Sequence, residues 1–267
     1  MTKNENMDEL YQDLAGELRR AYRSGPIPPL SARTGLTDVD SAYAVQSTNT
    51  RIWVEQGRRI IGRKIGLTSE AVQRQLGVDQ PDFGVLFADM AIEDGGELLA
   101  SQVLQPRAEA EVALVMARDL DNPEATLDDV LAATAYALPA IEIVDSRIAD
   151  WKISFFDTVA DNASSGFFVV GSEPIRLGDF DLATCAMVLE VNGHEVSTGV
   201  GANCLGHPLA AAAWLVRTLS SFGETLRAGD IVLTGALGPM KPISPGDVVR
   251  THITGLGSAM FRYTNDL

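Results

Sequence analysis

Four carboxylates and one lysine sit in stretches where apolar neighbours dominate. In "QPRAEAEVALVM", Gln105 to Met116, Glu109 and Glu111 lie two residues apart at the mouth of a run that reads as buried strand. Alternate residues of a strand share a face, with Cα atoms roughly 6.5 Å apart. Bent inward to ~5 Å, two such charges repel by about 3 kcal/mol at an effective dielectric of 20. A proton, a bridging arginine or a divalent cation would relieve them, and Arg107 on a wet edge is the plainest candidate. A second run, "LPAIEIVDSR", sets Glu142 between Ile141 and Ile143. A buried carboxylate is costly unless it is paired or bound to a metal. Three carboxylates with no cluster of His or Cys nearby make a hard, oxygen-rich site. Such a site suits Mg²⁺ or Mn²⁺ better than Zn²⁺ or copper.

Positive charge comes from "GRKIGLTS", where Lys64 lies in a short apolar segment with Ile61, Ile65 and Leu67. A lysine there is either an edge residue with its head in water or an inward catalytic cation. Asp82, between Pro81 and Phe83, is the carboxylate whose pKa a neighbouring apolar ring would raise. In "DTVADNASSGFFVVG", Asp157, Asp161, Asn162, Ser164 and Ser165 precede a strand, where small hydroxyl and amide groups either bind a substrate carboxylate or cap turns, and Ser164 and Ser165 are the candidate substrate contacts. No GxSxG elbow surrounds them, which speaks against a Ser-His-Asp hydrolase. The Gly-rich "LTGALGPM" lacks the lysine of a phosphate-binding loop, so Thr234 within it is a candidate substrate contact with no nucleotide role. His194, His207 and His252 are scattered, and His207, before Pro208 at a helix start, reads as structural.

The elements that must position these groups follow from periodicity. Met7, Leu10, Tyr11, Leu14, Leu18 and Tyr22 recur at helical spacing. A second helix is expected in "TDVDSAYAVQSTNTRIWVEQG", with Thr37 and Asp40 as a capping box and Gly57 as the stop. Residues 1–60 therefore read as a helical region and 61–267 as a β-rich catalytic domain, an α+β chain. Thr68 is a possible cap for a short helix through Leu76. Strands are expected over 111–117 and 139–145, with "TLDDVLAATAYAL" a helix between them. "AMVLEVNGHEVSTG" is a hairpin turning at Asn192-Gly193. "GHPLAAAAWLVRTLSSFG" is a buried helix, and "GDIVLTGAL" and "GDVVRTHITGLGSAMFRYT" are closing strands.

The chain has 267 residues and a net charge of −15, with no basic block, which argues against nucleic acid or an anionic membrane as partner. Cys185 and Cys204 stand in no CxxC spacing and read as packing residues of a reducing cytoplasm. The longest apolar run, "PLAAAAWLV", is too short to span a bilayer. An acidic protein that takes an acidic substrate must carry a cation in its site, which returns the argument to Lys64 and a metal.

The blocks "KIGLTSEAVQRQLGVDQPDFGVLFADM", "QPRAEAEVALV", "PAIEIVDSRIADW", "DTVADNASSG", "CLGHPLAAAAWL" and "GDIVLTGALGPM" closely resemble the 2-keto-4-pentenoate hydratases. These belong to the fumarylacetoacetate hydrolase superfamily and serve aromatic meta-cleavage pathways. The resemblance runs from about residue 60 to the C-terminus. It implies a fumarylacetoacetase-like mixed β-roll with a small N-terminal helical region. It also implies Mg²⁺ or Mn²⁺ on Glu109, Glu111 and Glu142, with Lys64 and Asp82 at the active site. Homo-oligomeric assembly is implied too, as is a complex with a pathway aldolase or decarboxylase. An alternative of another class is a chain that serves partly as a structural subunit of a hydratase–decarboxylase complex, against which the intact Lys64, Asp82 and glutamates speak. The implied substrate is a 2-oxo or 2-hydroxydienoic acid, 2-hydroxypenta-2,4-dienoate, hydrated to 4-hydroxy-2-oxopentanoate. In this scheme Lys64 neutralises a carboxylate or oxyanion rather than forming an imine, and Asp82 is the general acid/base. The sister group, 4-oxalocrotonate decarboxylase, is expected to carry an apolar residue at the position of Asp82. It stands as the alternative, together with C–C hydrolases of 3-acylpyruvates.

Overall fold

The computed structural model describes residues 3–69, 73–74, 78–178 and 180–266. Three helices lead: α1 (Lys3–Ser24), α2 (Leu30–Thr34) and α3 (Val39–Glu55). Then come β1 (Ile60–Gly66), β2 (Asp82–Phe87), β3 (Ala91–Ile92), β4 (Glu97–Leu99), β5 (Arg107–Met116), α4 (Leu127–Ala133) and β6 (Thr134–Val144). The chain continues through α5 (Phe155–Ala160), β7 (Ser165–Val170), β8 (Ala186–Val191), β9 (His194–Val200) and α6 (Pro208–Ser221). Strands β10 (Ile231–Ala236), β11 (Lys241–Pro242), β12 (Val248–Ile253) and β13 (Gly257–Thr264) complete it.

The strands form two mixed sheets. One runs β2-β1-β10-β5-β6-β7-β3, with β11 also on β5, and the other runs β4-β13-β12-β8-β9. The long β5–β6 pair is central to the first sheet and mostly buried, as its apolar composition demands. Element type changes near residue 60, yet the apolar packing is continuous. Leu14, Leu18, Tyr43 and Val45 share one hydrophobic cluster with Ile65, Val112 and Ile141.

Several local expectations are met by physical cause. Asn192 and Gly193 both hold positive φ, 54° and 75°, as a tight hairpin turn between β8 and β9 requires. His207 caps α6, its Nδ1 accepting from Leu209 N at 3.0 Å, and Pro208 follows at the first helical position. Both cysteines are free and buried.

Others need correction. The cap of α3 is Asp38, which accepts from Ser41 N at 2.8 Å, and not Thr37. Strand β5 begins at Arg107, so the Glu109/Glu111 doublet lies inside the strand and not at its mouth. Ala108 and Ala110, fully buried on the alternate face, extend the buried pattern that far. The helix expected across "TLDDVLAATAYAL" stops at Ala133. Thr134 and Tyr136 pair instead with Met116 and Val115 on β5, where β-branched and aromatic residues fit the sheet better than a helix. The helix expected after Thr68 falls largely outside the described residues.

Gly62 is where β1 crosses closest to β10: a Cβ there would lie 1.9 Å from Ile231 O. Relief would require backbone movement two residues from Lys64. Gly62→Ala is therefore expected to destabilise the fold by about 1–3 kcal/mol, the usual cost of overpacking. An unchanged urea midpoint would show that the two strands can part freely.

Candidate active site

The carboxylates meet because of strand register. Glu109 on β5 stands directly opposite Glu142 on β6, and Glu111 stands two residues along the same face. Glu111 and Glu142 are buried, while Glu109 is half-buried toward the opening. One ligand oxygen from each of the three lies within 4.8 Å of the others. Gly235 N donates to Glu111 Oε2 at 2.7 Å, across a register shift in β10. Gly235 holds φ +111°, and a Cβ there would lie 2.4 Å from the Thr68 side chain. A glycine is therefore required where the chain bends to present that N–H.

Arg107 does not compensate the doublet. Its guanidinium stacks 4.4 Å from the Trp151 ring centroid. The remaining oxygens lack partners: Glu111 Oε1 and both oxygens of Glu142 are buried without a hydrogen bond. Burial first, then the neighbouring Glu142 carboxylate, push the Glu109 carboxyl up to about 8. The same two causes, with Glu109 added, raise Glu111 well above the carboxylate range. Burial also raises Glu142, against the pull of Lys64. Unpartnered, converging carboxylate oxygens of this kind fit a hard dication with oxygen ligands. Among the described residues this is the one such cluster.

Lys64 reaches the cluster from β1. Its Nζ lies 3.1 Å from Glu142 Oε1, an ion pair without hydrogen-bond alignment, and donates to Ala163 O at 2.9 Å. Burial alone would lower the lysine's pKa, but Glu142, Asp82, Glu109 and Glu111 together push it upward. Those carboxylates favour the ammonium form. Asp82 begins β2 opposite Gly66 of β1, and a Cβ on Gly66 would lie 2.2 Å from Asp82 Oδ1. That Oδ1 is buried without a partner. Burial lifts the Asp82 carboxyl to about 6, with Lys64 opposing and Glu142 reinforcing.

The segment before β7 closes the site. Ser165 Oγ is buried, unpartnered and close against Gly84, which pairs with Lys64 in the β1–β2 register. Ser164 is committed elsewhere, its hydroxyl 3.2 Å from that of Thr158. Thr234 is likewise committed, donating to Val112 O at 3.0 Å. A separate cavity of about 260 Å³, lined by Tyr43, Arg63, Phe83 and Phe222, lies behind β1 and β2. Its strand residues alternate with Lys64 and Asp82 and so face away from the carboxylates.

Of two further residues that matter here, Arg147 carried no clear sequence signal and Asn162 stood only among the small polar groups before β7. Arg147 is completely buried, with Nε donating to Asp161 Oδ1 at 2.6 Å, Nη1 to Ser165 O at 2.8 Å and Nη2 to Asp161 O at 2.7 Å. Asn162 fixes the same segment from the other side. A lone arginine after a strand and an asparagine in a polar loop are ordinary in sequence.

The sequence matches the fumarylacetoacetate (FAA) hydrolase C-terminal family over residues 56–262. The chain belongs to the fumarylacetoacetate hydrolase family. This member of the family is 58% identical over 250 residues to 2-keto-4-pentenoate hydratase 1 of Dechloromonas aromatica (strain RCB), covering 92% of this chain and 95% of that one. It is 53% identical to 2-keto-4-pentenoate hydratase of Burkholderia vietnamiensis (strain G4 / LMG 22486), covering 96% and 98%. Among solved structures, 4-oxalocrotonate decarboxylase from Pseudomonas putida G7, complexed with magnesium and adipate, superposes with a TM-score of 0.92 at 35% identity. That superposition covers 98% of each chain. The expected α+β fold, mixed sheets behind an N-terminal helical region, is thus the family fold.

The raised carboxyls tie stability to pH. Without metal, the folded state holds protons that the unfolded chain releases from about 4.5 upward. Their contribution is complete below that pH and is lost as pH rises through about 8, the folded value of Glu109. Chelated protein should therefore lose Tm between pH 5 and 8. Added Mg²⁺ should restore it, more at pH 8 than at pH 5, by about 2.7 kcal/mol at a hundred times Kd. Equal Mg²⁺ shifts at both pH values in a thermal melt would sink the three-glutamate site.

Proposed function

We propose that this chain is a metal-dependent hydratase that adds water to 2-hydroxypenta-2,4-dienoate, giving 4-hydroxy-2-oxopentanoate. The observation that carries this reading is Asp82. Its buried carboxyl, with Oδ1 free of any hydrogen bond, lies beside Lys64 among the charges of the three glutamates and is raised to about 6. The relatives named as hydratases at more than half identity support it. Glu109, Glu111 and Glu142 would hold Mg²⁺ or Mn²⁺, which when bound acts as a Lewis acid on the 2-oxo acid end of the substrate.

The chain's own groups then divide the proton work. The dienol becomes a 2-oxo-3-enoate when its hydroxyl proton leaves and a proton arrives at C5. Water adds at C4, losing one proton, and C3 gains one. No net proton is consumed, so one group that both accepts and donates is enough. Asp82, with a pKa of about 6, is that group, because transfer is most efficient near the working pH. Lys64 offers a fixed positive charge to the substrate carboxylate or the developing enolate. An imine would need the neutral amine, which the surrounding carboxylates disfavour. Ser165 has a free hydroxyl for the substrate, whereas Ser164 and Thr234 contribute through the backbone segments that their hydroxyls hold.

The other reading is a decarboxylase, favoured by the superposition on 4-oxalocrotonate decarboxylase. Loss of CO₂ needs an electron sink and little proton relay, so a buried acid at position 82 would be superfluous there. A homo-oligomer, a cytoplasmic location and a complex with a pathway aldolase or decarboxylase belong to the same proposal. No helix among the described residues is long and apolar enough to cross a membrane.

Asp82→Asn keeps the shape of the side chain and removes the titration. Hydration, followed as loss of dienol absorbance, should fall by about 10²–10⁴-fold while Mg²⁺ affinity holds. Release of CO₂ from 4-oxalocrotonate by the parent protein, without hydration of the dienoate, would instead establish the decarboxylase.

A further inference from the structure

The segment between α5 and β7 turns left-handed over three consecutive residues that are not glycine. Asn162, Ala163 and Ser164 have φ of 55°, 52° and 53°. Only the asparagine tolerates this region with ease. Such a conformation persists where the surroundings over-determine it, and it clusters at functional sites. Two clamps do so here. One is Arg147, which grips Asp161 and the Ser165 carbonyl. The other is the Asn162 carboxamide. Its Oδ1 accepts from Val85 N at 2.7 Å and its Nδ2 donates to Val85 O at 2.9 Å.

Strand β2 is the edge of its sheet, so Val85 has backbone groups that no strand takes up. The carboxamide stands in for that strand and clips the turn to the edge. The clip is one residue from Gly84, the register partner of Lys64. Gly84 leaves just enough room: a Cβ there would lie 2.4 Å from Asn162 O and 2.8 Å from Ser165 Oγ. The turn so held brings Ala163 O to Lys64 Nζ at 2.9 Å.

We propose that Asn162 is a positioning residue: by clipping the left-handed turn to the edge of β2, it fixes the acceptor that aims the Lys64 ammonium and the place of the Ser165 hydroxyl. This rests on the proposed role of Lys64 as the working cation. The carboxamide touches neither the substrate pocket's carboxylates nor the lysine itself, and acts through the carbonyl of the next residue.

Two variants separate aim from stability. Asn162→Ala removes the clip and leaves a strained residue at positive φ. Asn162→Gly removes the clip and relieves the strain, so it keeps more of the Tm. Both should lose kcat for dienoate hydration alike, by roughly 10–100-fold, as misplacement of about an ångström costs. Mg²⁺ affinity should stay at the parent's value in both. A second readout needs neither turnover nor metal: acetylation of Lys64 by acetic anhydride, quantified by mass spectrometry, should run several-fold faster in both variants than in the parent. Activity that follows Tm, with the glycine variant near the parent, or Lys64 acetylated at the parent rate, would overturn the proposal. Were the parent protein to hydrate nothing, the hydratase reading would fall, and the acetylation contrast would still decide the role of Asn162.

Discussion

Crowding of negative charge in a dry pocket governs this structure. Glu109, Glu111, Glu142 and Asp82 face one ammonium, Lys64, so the pocket carries a net −3 when all are ionised. At 4.8 Å and an effective dielectric of 20, each glutamate pair repels by about 3.5 kcal/mol. Arg107, although on the same strand, stacks on Trp151 and does not relieve this. Protons relieve it in the metal-free chain, which is why burial and mutual repulsion raise all four carboxyls. A dication would reduce the charge to −1 without needing protons.

The scaffold around the pocket answers to that requirement. Strands β5 and β6 are central to the first sheet and mostly buried, and their register sets Glu109 opposite Glu142. The shift in β10 and the positive φ of Gly235 direct one N–H at Glu111. The turn Asn162–Ser164 contains three residues in a region that costs about 1–2 kcal/mol each for ordinary side chains. It is retained by a buried Arg147–Asp161 pair whose removal from either side would strand a charge. Strain, desolvated charge and a register shift thus occur together around Lys64 and the glutamates. The opposite sheet, β4-β13-β12-β8-β9, shows ordinary alternation on β12.

Much of this was legible in the sequence because the anomaly was chemical. Glutamates inside apolar runs, and a lysine among isoleucines, are visible without a fold. Strand and hairpin signals were strong where alternation or Asn-Gly was present. The misreadings came where local preference met tertiary pairing. "TAYAL" has a composition that a helix accepts, and only β5 across the sheet makes it strand. The cap at Asp38 instead of Thr37 is a one-residue difference that hydrogen-bond geometry decides. Arg147 was not singled out, and Asn162 stood only among small polar groups able to bind a carboxylate or cap a turn, because the importance of both lies in backbone groups contributed by distant segments. Ser165 could not be told from Ser164 until the structure showed which hydroxyl was spoken for.

Lysine in such a site has two chemistries open to it, and the surroundings select one. As a neutral amine it would attack the 2-oxo carbon. As an ammonium it can only attract charge and donate hydrogen bonds. Ala163 O accepts one of its protons and Glu142 attracts its charge, so both contacts favour the charged form. Each carboxylate added to the pocket deepens that preference. The same glutamates that form the candidate metal site therefore also keep Lys64 from becoming a nucleophile. Burial lifts Asp82 to about 6, which fits the acid/base role proposed for it. The proposed division of labour between an inert cation and a mobile acid would thus follow from how many carboxylates the sheet brings together.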